Sequence, residues 1–365
     1  MMVSTPKRLM IMAAGTGGHI FPGLAIAEVM QKRGWTVTWL GTDHGMEGEL
    51  VSKYRIPMDV LHFSGLRGKG WRHSLAGVFK LMASFWRCFQ FLGSRKPDVV
   101  LGMGGYVTVP GGVMAKLRRI PLVLINADAA LLLSNRFLSS FAKKVLFGFP
   151  ADFGSAASKA MVTGNPVREK ITTLPDPAER YAQRTGPLNL LIVGGSLGAK
   201  VLNDTLPAAL ALMPPELRPV VTHQSGKQHI AALQAAYEKA QVSAEVLAFI
   251  DDMPARYAKA DLVICRSGAI TVSELTAAGM ASILVPFMAS STTHQKNNAD
   301  WMAQQNAAIH LPQQEMTAQK LAQLLTALSR AECLKLAGKS YQLGRRNANQ
   351  EIADVLEKMT ENRVG

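Results

Sequence analysis

A short apolar run that ends in clustered glycines and resumes as a helix occurs near the start of this chain, and again about half a chain later. Arg8-Leu9-Met10-Ile11-Met12-Ala13-Ala14 reads as a buried strand, and Gly15-Thr16-Gly17-Gly18-His19 must bend sharply. Ile20 to Lys32 then carries apolar residues at helical spacing. Such a turn presents unpaired amides and the positive end of a helix dipole, which suit a phosphate or diphosphate. A titratable histidine is an unusual neighbour for such a ligand. Leu188 to Val193, followed by Gly194-Gly195-Ser196-Leu197-Gly198-Ala199, repeats the arrangement. Either loop alone could be no more than a tight turn. The pair predicts an α/β chain of two Rossmann-like domains, their parallel sheets facing each other across a cleft.

The 365 residues suffice for two such domains. Strand-like runs alternate with helical stretches: Val37–Leu40, Val99–Leu101, Leu122–Ile125, Lys144–Phe147, Leu190–Val193, Val220–His223, Leu262–Cys265 and Ile283–Pro286. A proline-rich segment, from Asn165-Pro166 through Pro175 and Pro177 to Pro187, marks the crossing between domains. Residues from about Glu351 to Glu361 read as a terminal helix. Cys88, Cys265 and Cys333 match no metal-ligand spacing and read as buried thiols of a reducing compartment. No secretory pattern opens the chain, and no apolar run has the roughly 18–20 residues that span a bilayer.

Charge is unevenly placed. Residues 1–168 hold 21 Lys and Arg against 8 Asp and Glu, while the remainder is nearly balanced, within a total of +14. A basic half predicts an anionic partner: nucleic acid, an acidic membrane face or a phosphorylated lipid. Between Ser64 and Lys96, Arg67, Lys69, Arg72, Lys80, Arg87, Arg95 and Lys96 surround an apolar stripe of Leu75, Val78, Phe79, Met82, Phe85, Trp86 and Phe89. This is either a core helix with a basic solvent face or a shallow membrane-docking patch. No nucleic-acid-binding motif accompanies the charge, so nucleic acid is not the expected partner.

A third glycine cluster, Gly102-Met103-Gly104-Gly105-Tyr106, follows Val99–Leu101 and belongs beside the first loop on the ligand side of an open sheet. In the second half, Arg266-Ser267-Gly268 leads from a strand into a helix bearing Glu274, an acid placed to accept hydrogen bonds from a ribose diol. The first loop lacks a clear Gly-x-Gly-x-x-Gly arrangement, which argues against a nicotinamide dehydrogenase.

These motifs, with Ser64–Gly70, Gly164-Asn165-Pro166-Val167-Arg168, His223-Gln224-Ser225-Gly226-Lys227 and Phe249-Ile250-Asp251-Asp252-Met253, occur in an order that resembles the MurG family over nearly the whole chain. Members of that family are N-acetylglucosaminyltransferases that convert lipid I to lipid II in peptidoglycan synthesis. The resemblance implies a GT-B fold, an inverting transfer and a peripheral protein of the cytoplasmic face of the bacterial inner membrane. It implies an acceptor- and membrane-binding domain over residues 1–165 and a UDP-N-acetylglucosamine-binding domain over 166–345. A helix in 346–365 would pack back on the first domain. His19 would be the general base. Thr16, Gly17 and Gly18 would line the catalytic side of the donor site, and Asp128, counted with the donor-binding residues, would face the donor or acceptor pyrophosphate. Ser196 would meet the donor diphosphate, Arg168 the nucleotide, and Ile250 the uracil through its backbone. Ala269, Ile270, Thr271, Val272, Ser273 and Glu274 would bind phosphate and ribose, and Gln295 the sugar hydroxyls. Gly104, Gly105 and Tyr106 would serve the lipid-linked pyrophosphate acceptor. Arg72, Leu75, Phe79, Lys80, Met82, Phe85 and Trp86 would meet the anionic membrane face. No cofactor is expected, since amides at helix N-termini can stabilise the leaving diphosphate without a metal.

Two stretches depart from the family pattern. Ile125-Asn126-Ala127-Asp128 stands where the family usually has His-Glu-Gln-Asn, and Met288-Ala289-Ser290-Ser291-Thr292-Thr293 replaces a loop that often carries a histidine and acids. The alternative these departures raise is a same-fold transferase with a changed acceptor, or a catalytically impaired nucleotide-sugar or lipid-binding protein.

Overall fold

The structure, a computed structural model, describes residues 6–15, 17–43, 45, 47–62, 71–150, 153–195, 198–287 and 293–361, with the backbone alone over 71–79. The chain forms two compact units, one of residues 1–168 with 347–365 and the other of residues 169–346.

The first unit is built on strands β1 (Arg8–Ala13), β2 (Thr36–Thr42), β3 (Met58–Leu61), β4 (Val99–Gly104), β5 (Leu122–Asn126), β6 (Lys144–Phe147) and β7 (Ala160–Val162). All pairings are parallel, in the order β3-β2-β1-β4-β5-β6-β7. Parallel sheets need cover on both faces, and β1 shows how the sequence provides it. Leu9, Ile11 and Ala13 join one core, together with Ile20 and Leu24 of helix α1 (Gly17–Lys32) and Ile352 and Leu356 of the terminal helix Ala348–Glu361. Met10, Met12 and Ala14 join the other, to which α3 (Trp71–Arg95), α4 (Thr108–Leu117) and α5 (Leu133–Leu138) contribute, while α2 (Glu47–Lys53) adds Val51 to the first. Alternation along a strand thus sends consecutive side chains into different cores. The terminal helix is fastened at two places. Arg33 reaches Asp354 at 2.7 Å and Glu357 at 2.8 Å, and Asn349 exchanges two hydrogen bonds with the Val167 backbone.

The second unit repeats the plan with β8 (Asn189–Val193), β9 (Val220–Gln224), β10 (Glu245–Leu247), β11 (Leu262–Cys265), β12 (Ser282–Leu284) and β13 (Ile309–His310), again parallel and ordered β10-β9-β8-β11-β12-β13. Leu190, Ile192, Leu262 and Ile264 face Leu202, Leu206 and Leu321 in its core. In both sheets the strand order reverses beside the first strand, between β1 and β4 and between β8 and β11. Ligands of open α/β sheets bind at the carboxyl ends of strands around such a reversal. Both strand-linked glycine loops lie there.

Candidate active site

In the first unit, the carboxyl ends of β1, β4 and β5 bring three of the predicted segments together. Gly17 and Gly18 open α1, and His19 follows in its first turn. The ring of His19 lies against Gly104, where φ is +110°: a Cβ on Gly104 would sit 2.8 Å from both Cδ2 and Nε2 of the imidazole. Gly105, at φ +84°, is equally constrained, because a Cβ there would meet the Ala14 carbonyl at 2.6 Å. These glycines therefore make room for the histidine and for the first loop, beyond turning the chain. The Nδ1 atom of His19 is buried, while the residue as a whole is half-buried. Burial pushes the imidazole below its ordinary pKa, and the Asp128 carboxylate, the Ala14 backbone and the Glu47 carboxylate oppose that push. Asp128 is thus close enough to act electrostatically on His19.

The loop that carries Asp128 is shaped by Asn126. Its amide donates to the carbonyls of Asp128 and Ala130 at 2.9 and 3.0 Å, and its Oδ1 accepts from the Leu132 amide and from Asn135. Asn165 adds a bond to the Ala127 carbonyl at 2.9 Å. The departure at 125–128 is therefore a well-bonded turn, and Asn126 is a shaping residue that the sequence alone did not single out. Tyr106 is exposed. Arg168 stacks its guanidinium 5.3 Å from the Phe21 ring centroid, on α1 of the same unit.

In the second unit, the loops after β8, β9, β10 and β11 lie along one sheet edge. Gln224, at the end of β9, links two of them: its Nε2 donates to the Gly195 carbonyl at 2.8 Å, and its Oε1 accepts from the Ile250 amide at 3.2 Å. The Ile250 N–H is thus occupied, and only its carbonyl is left to pair with a base. This narrows the backbone role expected of Ile250. Gly198, at φ +80°, approaches the Ser225 carbonyl so closely that a Cβ would lie 2.1 Å from it.

The helix Ala269–Ala278 begins after Gly268, with Ala269, Ile270 and Thr271 in its first turn and no acidic residue there. Its free amides form the anion-binding end that the sequence predicts. Glu274 and Ser273 are buried one turn on. Val272 is fully buried, and its amide is bonded to the Gly268 carbonyl, so it seats the helix and has no group to offer a ligand. Gln295 accepts from the Phe287 amide through Oε1 at 2.9 Å, and its carbonyl receives the Ser267 hydroxyl at 2.8 Å, leaving its side-chain NH2 end for a sugar. Thr16, Ser196, the 288–292 loop and the side chains of Arg72, Leu75 and Phe79 lie outside the described residues.

The outer part of α3 separates the two readings of the apolar stripe. Ser84, Cys88 and Leu92 face the sheet, while Met82 and Trp86 are 62% and 63% exposed and Phe85 is half-buried. Met82 and Trp86 are therefore not core positions. The Trp86 ring stacks on Phe89 at 6.1 Å, and Arg118 of the segment after α4 lies 3.8 Å from the Phe89 centroid. Lys80 is exposed, and α3, α4 and α5 contain no Asp or Glu. Among the described residues no helix is long and apolar enough to cross a membrane.

Two glycine-rich strand ends thus hold a half-buried histidine in the first unit, and a helix that opens with free amides follows β11 in the second, an arrangement that suits a transferase acting on a nucleotide-linked group. Residues 9–147 match the glycosyltransferase family 28 N-terminal domain and residues 189–357 match its C-terminal domain. The chain is 69% identical over 353 residues to the UDP-N-acetylglucosamine--N-acetylmuramyl-(pentapeptide) pyrophosphoryl-undecaprenol N-acetylglucosamine transferase of Janthinobacterium sp. (strain Marseille), covering 97% of this chain and 99% of that protein. It is 67% identical to the protein of the same name from Herminiimonas arsenicoxydans, covering 98% and 99%. The crystal structure of Acinetobacter baumannii MurG superposes with a TM-score of 0.81 at 39% identity, covering 97% of this chain and all of that one. The chain belongs to the MurG family of glycosyltransferases, and its fold is of the GT-B class.

Proposed function

We propose that the chain transfers N-acetylglucosamine from UDP-N-acetylglucosamine to lipid I, the undecaprenyl-pyrophosphoryl-linked N-acetylmuramyl-pentapeptide, giving lipid II. The observation that carries this reading is identity of 69% to a transferase of that name across 97% of the chain. In the proposed step, Nε2 of His19 takes the proton of the acceptor hydroxyl as that oxygen attacks the anomeric carbon. The bond from the anomeric carbon to the diphosphate breaks, and the configuration inverts. Burial keeps His19 in its neutral, proton-accepting form at the pH of the cell. The amides that open Ala269–Ala278 would receive the charge that grows on the diphosphate, and Glu274 would accept from the ribose. A transfer assay with labelled UDP-N-acetylglucosamine and a lipid I analogue tests the reading. Labelled lipid II is expected; UDP-sugar binding without transfer would overturn it.

The membrane surface belongs to the same proposal. Met82 and Trp86, exposed on a helix that also carries Lys80 and Arg87 and no acid, suit the anionic face of a bilayer. Changing Met82 and Trp86 together to serine should weaken sedimentation with vesicles rich in phosphatidylglycerol and leave UDP affinity and the melting temperature intact, because neither side chain is in the core. Unchanged sedimentation would remove α3 from the docking surface.

A further inference from the structure

Glu47 is a carboxylate with no exposed surface, and it lies outside every motif assigned above. It opens α2, and each of its oxygens has work. Oε1 accepts from the Thr42 amide at 2.9 Å and from the Thr42 hydroxyl at 2.6 Å, while Oε2 accepts from the Gly15 amide at 3.2 Å. Two glycines are shaped around it. A Cβ on Gly41 would lie 2.9 Å from the Glu47 Cγ, and one on Gly45 would lie 1.8 Å from Oε2. Gly15, at φ +102°, is the first residue of the turn that leads to His19.

We propose that Glu47 is a positioning residue of the transferase: its carboxylate fixes the Gly15 amide, and through it the turn that places His19 against Gly104. The inference rests on His19 being the base. A purely architectural carboxylate would need only Thr42, at the end of the preceding strand β2; the bond to Gly15 carries the restraint into the β1 loop. The negative charge has a second effect, because Glu47 and Asp128 are the carboxylates that favour a proton on His19 against the push of burial. The imidazolium formed during proton transfer is stabilised by the same charge.

Glu47→Gln separates these roles. The glutamine carbonyl can keep the Thr42 bonds, but its NH2 group then faces the Gly15 amide, donor against donor. Measured with labelled UDP-N-acetylglucosamine and a lipid I analogue, kcat should fall about 10- to 100-fold, the scale expected for a base displaced by an ångström or less. KM for the donor should change less than about twofold. The acid limb of the kcat profile should move to lower pH, since losing the charge lowers the His19 pKa further. Glu47→Asp should keep the acid limb near its original place, because the charge remains, while kcat stays low, because the shorter side chain cannot span Thr42 and Gly15. Should Glu47→Gln fail to fold, Gly45→Ala, which crowds Oε2 and leaves the charge, must show the same loss of kcat at unchanged donor KM.

In a His19→Ala background, Glu47→Gln should cost nothing more. A folded Glu47→Gln enzyme with normal kcat and an unmoved acid limb overturns the inference, as does a full additional loss in the His19→Ala background. Full turnover by His19→Ala would instead overturn the reading of the base, and this inference with it.

Discussion

The loop after β1 is tied back by a carboxylate, Glu47 on the Gly15 amide, whereas the loop after β8 is tied by a neutral amide, Gln224 on the Gly195 carbonyl. The two loops occupy equivalent places beside the strand-order reversal of their sheets, so topology does not explain the difference. Their expected partners do. A loop that receives a diphosphate is best held without negative charge, because a carboxylate in a partly desolvated site opposes the ligand. A loop that carries a base gains from nearby carboxylates, because the base must accept a proton in a place where burial resists it. The histidines repeat the contrast. His223 in β9 is buried against the Tyr237 hydroxyl at 2.9 Å, and burial alone pushes it down to about 3, so it stays neutral as a packing group. His19 is half-buried and is pushed in the same direction by burial, but two carboxylates oppose the push.

The largest effect should come from removing the histidine that has those carboxylates. His19→Ala is expected to lower kcat by roughly 10²–10⁴-fold, the usual contribution of a general base, with UDP affinity little changed. In the unaltered enzyme, the acid limb of kcat should lie below the ordinary imidazole value of about 6.5, because burial is the first cause acting on this ring. The sign follows directly: with the pKa depressed, the proton-accepting form persists to lower pH, and activity is lost only below that. Near-normal turnover by the variant would reduce His19 to the role that His223 plays.

A smaller effect should follow from giving the second loop the chemistry of the first. Gln224→Glu keeps an oxygen for the Ile250 amide but sets a carboxylate oxygen against the Gly195 carbonyl, which loses its donor. Losing that bond and setting oxygen against oxygen costs about 1–3 kcal/mol, which, where the UDP-bound loop carries it in full, is roughly 5- to 150-fold in Kd for UDP. Calorimetry that finds unchanged UDP affinity in a folded variant would mean that the Gly195 loop does not hold the nucleotide.

Much of this plan is legible in the sequence, and what escapes it has a common cause. The nine strands read from apolar runs are all present, with ends displaced by a few residues, such as Ile283–Pro286 observed as Ser282–Leu284. The four that leave no apolar run are Met58–Leu61, Ala160–Val162, Glu245–Leu247 and Ile309–His310, and each is an edge of its sheet. An edge strand is short and paired on one side, so it needs few buried side chains and leaves little periodic signal. Among site residues, the glycines and His19 are visible because loop geometry restricts residue type. Glu47 is not, because Glu47-Gly48-Glu49 reads as a solvated helix start; its burial comes from Gly41 and Gly45, whose missing side chains mean nothing until the fold is known. The approach of Asp128 to His19 joins the ends of β5 and β1, a proximity that only the sheet order reveals.

The smallest effect, and the one that divides the two loops most finely, belongs to Asp128. Asn126 holds the Asp128 backbone carbonyl, a bond that Asp128→Asn keeps while it removes the charge. Two consequences oppose each other. An anionic substrate meets less repulsion, so KM should fall, more so at low salt, where screening is weak. His19 loses the larger of its two supporting carboxylate interactions, so its pKa drops, the acid limb of kcat moves to lower pH and the imidazole becomes a weaker base. The net change in kcat/KM near neutral pH is therefore expected to stay within about tenfold, while the acid limb moves measurably. An acid limb that does not move would separate Asp128 from His19. A loss of activity beyond about 100-fold with the limb displaced would instead place Asp128 in the proton transfer itself, and the base loop would then depend on its carboxylates as strongly as on its histidine.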